Sequence, residues 1–295
     1  MLQRFAASLR GRVFTPFAAA VLTASHLPWN RNGMKFFTPQ GGLGKKDIAA
    51  LVDLACAADE AAGGAPPPSP EHKPAVTQFL PVYAAQLVEL IRKGVAHPTR
   101  YDTPLEGMKV VVDAGNGSGG FFADLVLQPL GADTAGSQFL DPDGHFPNHI
   151  PNPEDPGAVA SASAAVRRAH ADLGVIFDTD VDRSAIVDAA GSAINRNRLI
   201  ALLSAVVLRD RPGATIVTDS VTSDGLTAFI EAAGGKARVL CGRPRHFARS
   251  HRVASDTPPP FVSLVPNSTC GTSAATRTSS TRGWSWRLRG STRRS

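Results

Sequence analysis

The sequence predicts an α/β protein: mixed sheets layered between helices in α/β/α domains, followed by a disordered C-terminal tail. Three observations carry this. Short β-branched runs alternate with segments of helical period. A glycine turn, Gly115–Gly120, joins one such run to a helical stretch, which is the signature of an α/β unit. The pattern then stops near Leu240, where Arg, Ser, Thr and Pro take over and too little apolar surface remains to offset the ordering entropy.

Taken in order, residues 13–22 read as a helix or strand leading into a loop around Ser25. Lys45–Ala62 places Ile48, Leu51, Leu54 and Ala55 on one face and reads as a helix. The stretch 63–70 (GGAPPPSP) ends it as a loop. A second helix is expected over 74–93, with Val76, Phe79, Leu87 and Ile91 apolar. Residues 94–107 read as a connection, 108–113 as a buried strand, and 121–130 as a helix. Residues 145–156 (HFPNHIPNPEDP) are too rich in proline for regular structure. A helix over 158–169 leads to a strand, 173–177, which delivers an acidic loop; 185–187 returns as a strand. A helix over 197–208, a strand over 214–218 and a helix over 223–233 open a further α/β unit without a visible completion.

With 295 residues and 43% hydrophobic content the chain is long enough for two modest domains with packed cores. No apolar run approaches the roughly 20 residues of a membrane span, so no membrane partner is expected. The three cysteines, Cys56, Cys241 and Cys270, are odd in number and far apart. That pattern indicates neither a disulfide framework nor a zinc site, and it is compatible with the cytoplasm or a plastid stroma. Residues 1–12 are basic and rich in Ala and Ser, as transit peptides are. The Ser25 loop follows so closely that cleavage would cut into a domain, and the composition is read as incidental. The net charge of +6 is unevenly placed. Residues 241–295 hold ten Arg, no Lys and one acid, Asp256, so this segment stands at +9 and residues 1–240 at −3. An Arg-rich tail with Trp284 and Trp286 offers a reading as an RNA binder, with a steep salt dependence as its signature. The basic character does not extend to the patterned part, and no nucleic-acid partner is expected.

Asp178, Asp180 and Asp182 follow directly after a predicted strand. Three alternating carboxylates crowded at a strand end repel one another unless a cation or an arginine compensates them. Hard oxygen donors suit Mg²⁺, which shares its shell with water and phosphate, and Arg183 adds a guanidinium fork for the same phosphate. An EF-hand is excluded, because its sixth and twelfth positions require Gly and Glu where this chain has Arg183 and Ala189. A dehalogenase-type phosphatase places Thr or Val where this chain has Asp182, and has nothing like the Ser25 loop.

Ser25 stands between Thr23-Ala24 and His26, with Lys35 ten residues on. A lone serine is usually a surface or capping hydroxyl, and a lone histidine a structural residue. Phosphoryl carriage on an oxygen nucleophile requires a metal, a cation for the transferring oxygens and a proton shuttle. His26 and Lys35 lie within one loop of Ser25 and could fill those roles. Gly115–Gly120 nearly fits a dinucleotide fingerprint, but no acid stands ready for a ribose, and a tight strand-to-helix turn is the better reading.

Several segments together resemble the α-D-phosphohexomutases, the phosphoglucomutase/phosphomannomutase family: the loop Thr23-Ala24-Ser25-His26 with Asn32-Gly33-Met34-Lys35, the run Val112-Asp113-Ala114-Gly115-Asn116-Gly117, residues 146–155, the acidic loop 178–183, and Thr222-Ser223-Asp224-Gly225-Leu226. They occur in the family's order, from about residue 21 to 240. The resemblance implies that Ser25 carries phosphate and that Asp178, Asp180 and Asp182 hold Mg²⁺. It implies that His26 and Lys35 are acid/base or phosphate-contacting groups, and that Arg183 contacts the phosphoserine. The implied reaction moves a phosphoryl group between the C1 and C6 oxygens of a hexose phosphate through a hexose 1,6-bisphosphate. Leu27 and Thr179 depart from the commoner Asn and Gly.

Family members have four domains. The expected correspondence is 1–95 to the later part of domain I, 96–209 to domain II and 210–240 to the start of domain III, with 241–295 non-homologous. The Glu-x-Ser-Gly-His and Arg-x-Ser-x-Thr loops of the later domains do not occur after Gly225. Hence the alternative to an isomerase is a non-catalytic remnant that binds Mg²⁺ or sugar phosphate. We also entertain the hypothesis that 241–295 is read out of frame, because GC-rich coding sequence in a shifted frame yields such Arg/Ser/Thr text. Reading the codons for 234–244 in all three frames checks it, and failure to recover the missing loops in either other frame would sink it. The preferred hexose and the oligomeric state are not legible.

Overall fold

A computed structural model describes residues 18–39, 41–63, 76–219, 222–240, 261–263 and 275–277. Three sheets follow one another along the chain. The first is an antiparallel meander of β1 (Ala19–Leu22), β2 (Met34–Thr38) and β3 (Gly41–Gly42). Helix α1 (Lys45–Ala62) follows with the predicted limits, and Gly63, in the left-handed conformation, closes it. On its predicted face Leu51 and Leu54 are exposed and Ile48 is half-buried.

Helix α2 (Leu80–Val95) begins later than predicted. Residues 76–79 are not helical: Phe79 is the N-cap, and Pro81 stands in the first turn, where a missing N–H costs nothing. Residues 74 and 75 lie outside the described residues, as do 13–17 and 64–75, where the leading segment and the proline-rich loop were expected. Ala84 and Val88 of α2 pack against Val126 and Leu130.

The second sheet contains the best-packed part of the molecule. Strand β4 (Val110–Asp113) runs parallel to β5 (Leu173–Phe177), and β6 (Ser184–Asp188) returns antiparallel to β5. Alternation sends the side chains to two cores. Val110, Val112, Val175 and Phe177 face the helical segment 118–130, whereas Val111, Ile176 and Val187 face α3 (Pro156–Ala169). This is an α/β/α sandwich on a mixed sheet, as expected. The segment expected as helical over 121–130 is so, wound as a π-helical stretch (Phe122–Leu127) and a 3₁₀ turn (Gln128–Leu130), with a further 3₁₀ turn (Ser118–Gly120) before it. Pro129 explains the break, since it cannot donate to the preceding turn and its ring crowds that turn's carbonyl. Helix α3 starts on Asp155, whose carboxylate accepts from the Gly157 and Ala158 N–H groups, with Pro156 at the first helical position.

Helix α4 (Arg196–Asp210), β7 (Thr215–Asp219) and α5 (Asp224–Ala232) form the third unit around Ile200, Leu208, Ile216, Leu226 and Ile230. This unit does have a completion: β8 (Lys236–Leu240) pairs parallel with β7, and Lys236-Ala-Arg-Val-Leu240 alternates as a half-covered strand does. Two further strands, β9 (Phe261–Ser263) and β10 (Ala275–Arg277), extend this sheet in the order β10-β9-β7-β8. At those six residues the expected tail has regular structure; the remainder of 241–295 lies outside the described residues. No helix among the described residues is long and apolar enough to cross a membrane.

Candidate active site

Strand β5 ends at Phe177, and the chain turns at once so that Asp178, Asp180 and Asp182 converge, each with a carboxylate oxygen within 4.8 Å of the others. The turn is tight. The Asp178 N–H donates to the Arg183 carbonyl at 3.1 Å, and the Arg183 N–H returns a bond to Asp178 Oδ1 at 3.0 Å. Val181 at its centre takes φ +61°, a left-handed conformation that is unusual for a β-branched residue, and packs against the core beside Phe177. Neighbouring backbone supports the loop: the Ser118 N–H donates to the Thr179 carbonyl at 2.9 Å, and a Cβ on Gly117 would come within 2.9 Å of Thr179.

Asp178 is fully buried. Burial pushes its carboxyl up to about 7; the Arg183 N–H bond pulls it down, while the charges of Asp182 and Asp180 push it further up. Arg183 is buried as well, with Nε 2.9 Å from Asp178 Oδ2 and 3.6 Å from Asp182 Oδ1. The other arm of the same guanidinium, Nη2, donates to Ser25 Oγ at 3.3 Å, across 158 positions of sequence.

The Ser25 turn lies between β1 and β2, and its neck is closed by the Thr23 N–H to Gly33 carbonyl bond. Ser25 sits at φ +54°, and its N–H donates to Thr23 Oγ1 at 2.9 Å. The Thr23 hydroxyl in turn donates to Asp180 Oδ2 at 2.7 Å. His26 Nδ1 lies 3.3 Å from Ser25 Oγ. Trp29, in the same loop, packs at 5.4 Å on the ring of His145. Two loops from separate sheets are thus joined through two hydroxyls, a guanidinium and a carboxylate.

Residues 91–191 match the family model described as phosphoglucomutase/phosphomannomutase, alpha/beta/alpha domain II. A phosphomannomutase/phosphoglucomutase of Pseudomonas aeruginosa is 34% identical over 219 residues, covering 74% of this chain and 43% of that protein. A phosphomannomutase of Escherichia coli is 32% identical over 226 residues, covering 73% and 46%. The chain belongs to the α-D-phosphohexomutase family. It spans under half the length of these curated relatives. The crystal structure of a phosphoglucomutase/phosphomannomutase family protein from Burkholderia thailandensis shares the fold. The TM-score is 0.66 at 24% identity, over 89% of this chain and 54% of that one.

Of the residues singled out in the sequence, Ser25, His26, Arg183, Asp178, Asp180 and Asp182 come together in this phosphohexomutase fold. Lys35 stands exposed in β2, in register with Val21 of β1. The glycine turn 115–120 is a strand-to-helix turn, packed on the acidic loop. Thr23 is the contributor whose part was not legible: nothing in the sequence pairs it with Asp180, and only the meeting of the two sheets does.

The donor set fits Mg²⁺. Asp180 Oδ1 and Thr179 Oγ1 are buried and lack a hydrogen-bond partner among the described residues. A buried polar atom left so is costly, and a carboxylate oxygen next to two more carboxylates is relieved by a hard cation rather than by a further donor.

Proposed function

We propose that this chain carries the phosphoserine and metal parts of a hexose-phosphate mutase, an isomerase acting by intramolecular phosphoryl transfer. The supporting observation is the single guanidinium of Arg183, bonded to buried Asp178 and to Ser25 Oγ. A fixed positive charge beside Ser25 Oγ suits the oxygens of a phosphoryl group carried there. The division into 1–95, 96–209 and 210–240 follows the family's domains in this reading.

Asp178, Asp180 and Asp182 would hold Mg²⁺, which when bound neutralises charge on the transferring phosphoryl oxygens. Ser25 Oγ attacks one phosphorus of a hexose 1,6-bisphosphate; the new P–Oγ bond forms as the P–O bond to the sugar breaks. The hydroxyl proton passes to His26 Nδ1, 3.3 Å away, and the sugar oxygen leaves with a proton from an acid, the role we assign to Lys35. In the opposite direction the phosphoserine passes its group to the free hydroxyl of an incoming hexose monophosphate, whose proton goes to Lys35 while His26 returns its proton to Ser25 Oγ; the bisphosphate so formed then gives its other phosphoryl group to Ser25. Arg183 holds the phosphoryl oxygens throughout, and Thr23 keeps Ser25 and Asp180 in one frame.

A second reading, a remnant that binds Mg²⁺ or sugar phosphate without turnover, asks for no more than the three clustered carboxylates and Arg183. One experiment separates the two. The protein is incubated with Mg²⁺ and labelled glucose 1,6-bisphosphate, and the label on Ser25 is read by mass spectrometry beside Ser25→Ala. Stoichiometric label that is absent in the variant supports the mutase reading. Magnesium binding without label supports the remnant.

A further inference from the structure

We propose that His149 is a positioning residue for the acidic loop, acting through Asp113 and the turn Gly115–Ser118. His149 lies in the irregular segment 146–155 and touches none of the three clustered carboxylates. Its side chain is 8% exposed and faces Asp113, which is 0% exposed, at 2.9 Å from Nε2 to Oδ1. Its other ring nitrogen, Nδ1, is 2.9 Å from the Ile150 carbonyl. A carboxylate and a carbonyl both accept, so both ring nitrogens donate and the ring is an imidazolium. Burial opposes that charge, but the bonds to Asp113 and Ile150 outweigh it and raise the pKa of His149 above its ordinary value. The edge of Phe139 closes the pocket, with ring centres 5.4 Å apart.

Asp113 ends β4 and hands the contact on. Its Oδ1 also accepts the Gly115 N–H at 3.0 Å, and its Oδ2 accepts Gln138 Nε2 at 2.8 Å. The ring itself presses on the turn: a Cβ on Gly115 would lie 2.9 Å from His149 Cε1. The neighbouring Asn148 donates to Asn116 Oδ1 at 2.7 Å. Two residues later the turn reaches the acidic loop, through the Ser118 N–H on the Thr179 carbonyl and the close approach of Gly117 to Thr179. The path from His149 to the loop is continuous, made of one ion pair, three hydrogen bonds and two contacts that leave no room for a methyl group.

His149→Gln is the test. A glutamine amide offers one neutral donor end and cannot serve both acceptors, so Asp113 is left buried without its counter-charge. Amide hydrogen exchange of the whole chain, read without metal, is expected to quicken about 10-fold or more at 178–183. Exchange in β7 and β8 should keep its wild-type rates. Magnesium affinity by calorimetry, which rests on the metal reading above, is expected to fall about 10-fold. Adding Asp113→Asn removes the stranded charge and should recover part of both losses, a non-additivity that mere destabilisation does not produce. Unchanged exchange at 178–183 in His149→Gln, or equal acceleration in β7 and β8, overturns the proposal. If that variant does not fold, Gly117→Ala probes the last link; unchanged exchange at 178–183 there overturns it too. Absence of magnesium binding by the wild type would overturn the proposed function alone, because the exchange readout needs no metal.

Discussion

In the β4-β5-β6 sheet, Val111, Val112 and Ile176 are fully buried between two helical layers. Between residues 18 and 63 no side chain of described exposure is buried, and Leu54 is 69% exposed. Yet the candidate site takes its serine from the second region and its carboxylates from the first. The difference shows that burial of apolar surface fixes the acidic loop, whereas polar contacts across the gap fix Ser25 against it. Thr23 on Asp180 and Arg183 on Ser25 are directional bonds, so Ser25 can be placed without a core of its own, and it can also be released by losing one of them.

This contrast can be broken at several points. Ile176→Ala empties the centre of the better-packed region and should cost about 4 kcal/mol in chemical denaturation, enough to take the acidic loop with it. Arg183→Met leaves Asp178 buried without its partner. At pH 8 we expect a loss of about 3 kcal/mol, with loss of labelling at Ser25. The loss should shrink towards pH 5, because the folded pKa of Asp178, about 7, lies above the unfolded carboxyl value. The metal-free fold binds the extra proton between those values, so its stability falls as pH rises through that window. Magnesium binding should weaken as pH drops below about 7, since the ligand must then lose a proton. Thr23→Val keeps the shape but removes the bond to Asp180. It should cost about 1–2 kcal/mol and open the 18–39 segment to limited proteolysis before 96–209. Leu54→Ala, on the exposed face of α1, should move the unfolding midpoint by less than about 0.5 kcal/mol in stability. A larger loss would show that this face is covered in solution.

How far the sequence could be read follows the same division. Where an apolar period or an apolar run is clear, as in α1, α3 and β5, the elements appear within a few residues of their expected places. The unbroken apolar runs in 110–112 and 175–177 foretold a sheet covered on both faces. The stretch over 121–130 is helical as expected, but its π and 3₁₀ winding was not legible, because apolar periodicity does not distinguish α from π winding. Strand β8 was missed because Lys236 and Arg238 make a five-residue run look polar, although alternation was there to be seen. Motif and chemistry together marked Ser25, His26, Arg183 and the three aspartates. Thr23 and His149 were out of reach, since each acts through a partner, Asp180 or Asp113, that only the folded chain brings near.

On the proposal that the acidic loop holds Mg²⁺, Val181 carries a consequence for the speed of its capture. Its left-handed backbone and its seat on the core beside Phe177 hold the acidic loop in shape before any cation arrives. The entropy of ordering that loop is therefore lost when the chain folds, not when the ion binds. Mg²⁺ gives up its water reluctantly, so in a loop already ordered the slow step of association becomes the exchange of water from the ion. Ions that dehydrate faster should then enter this site faster, whatever their final affinity.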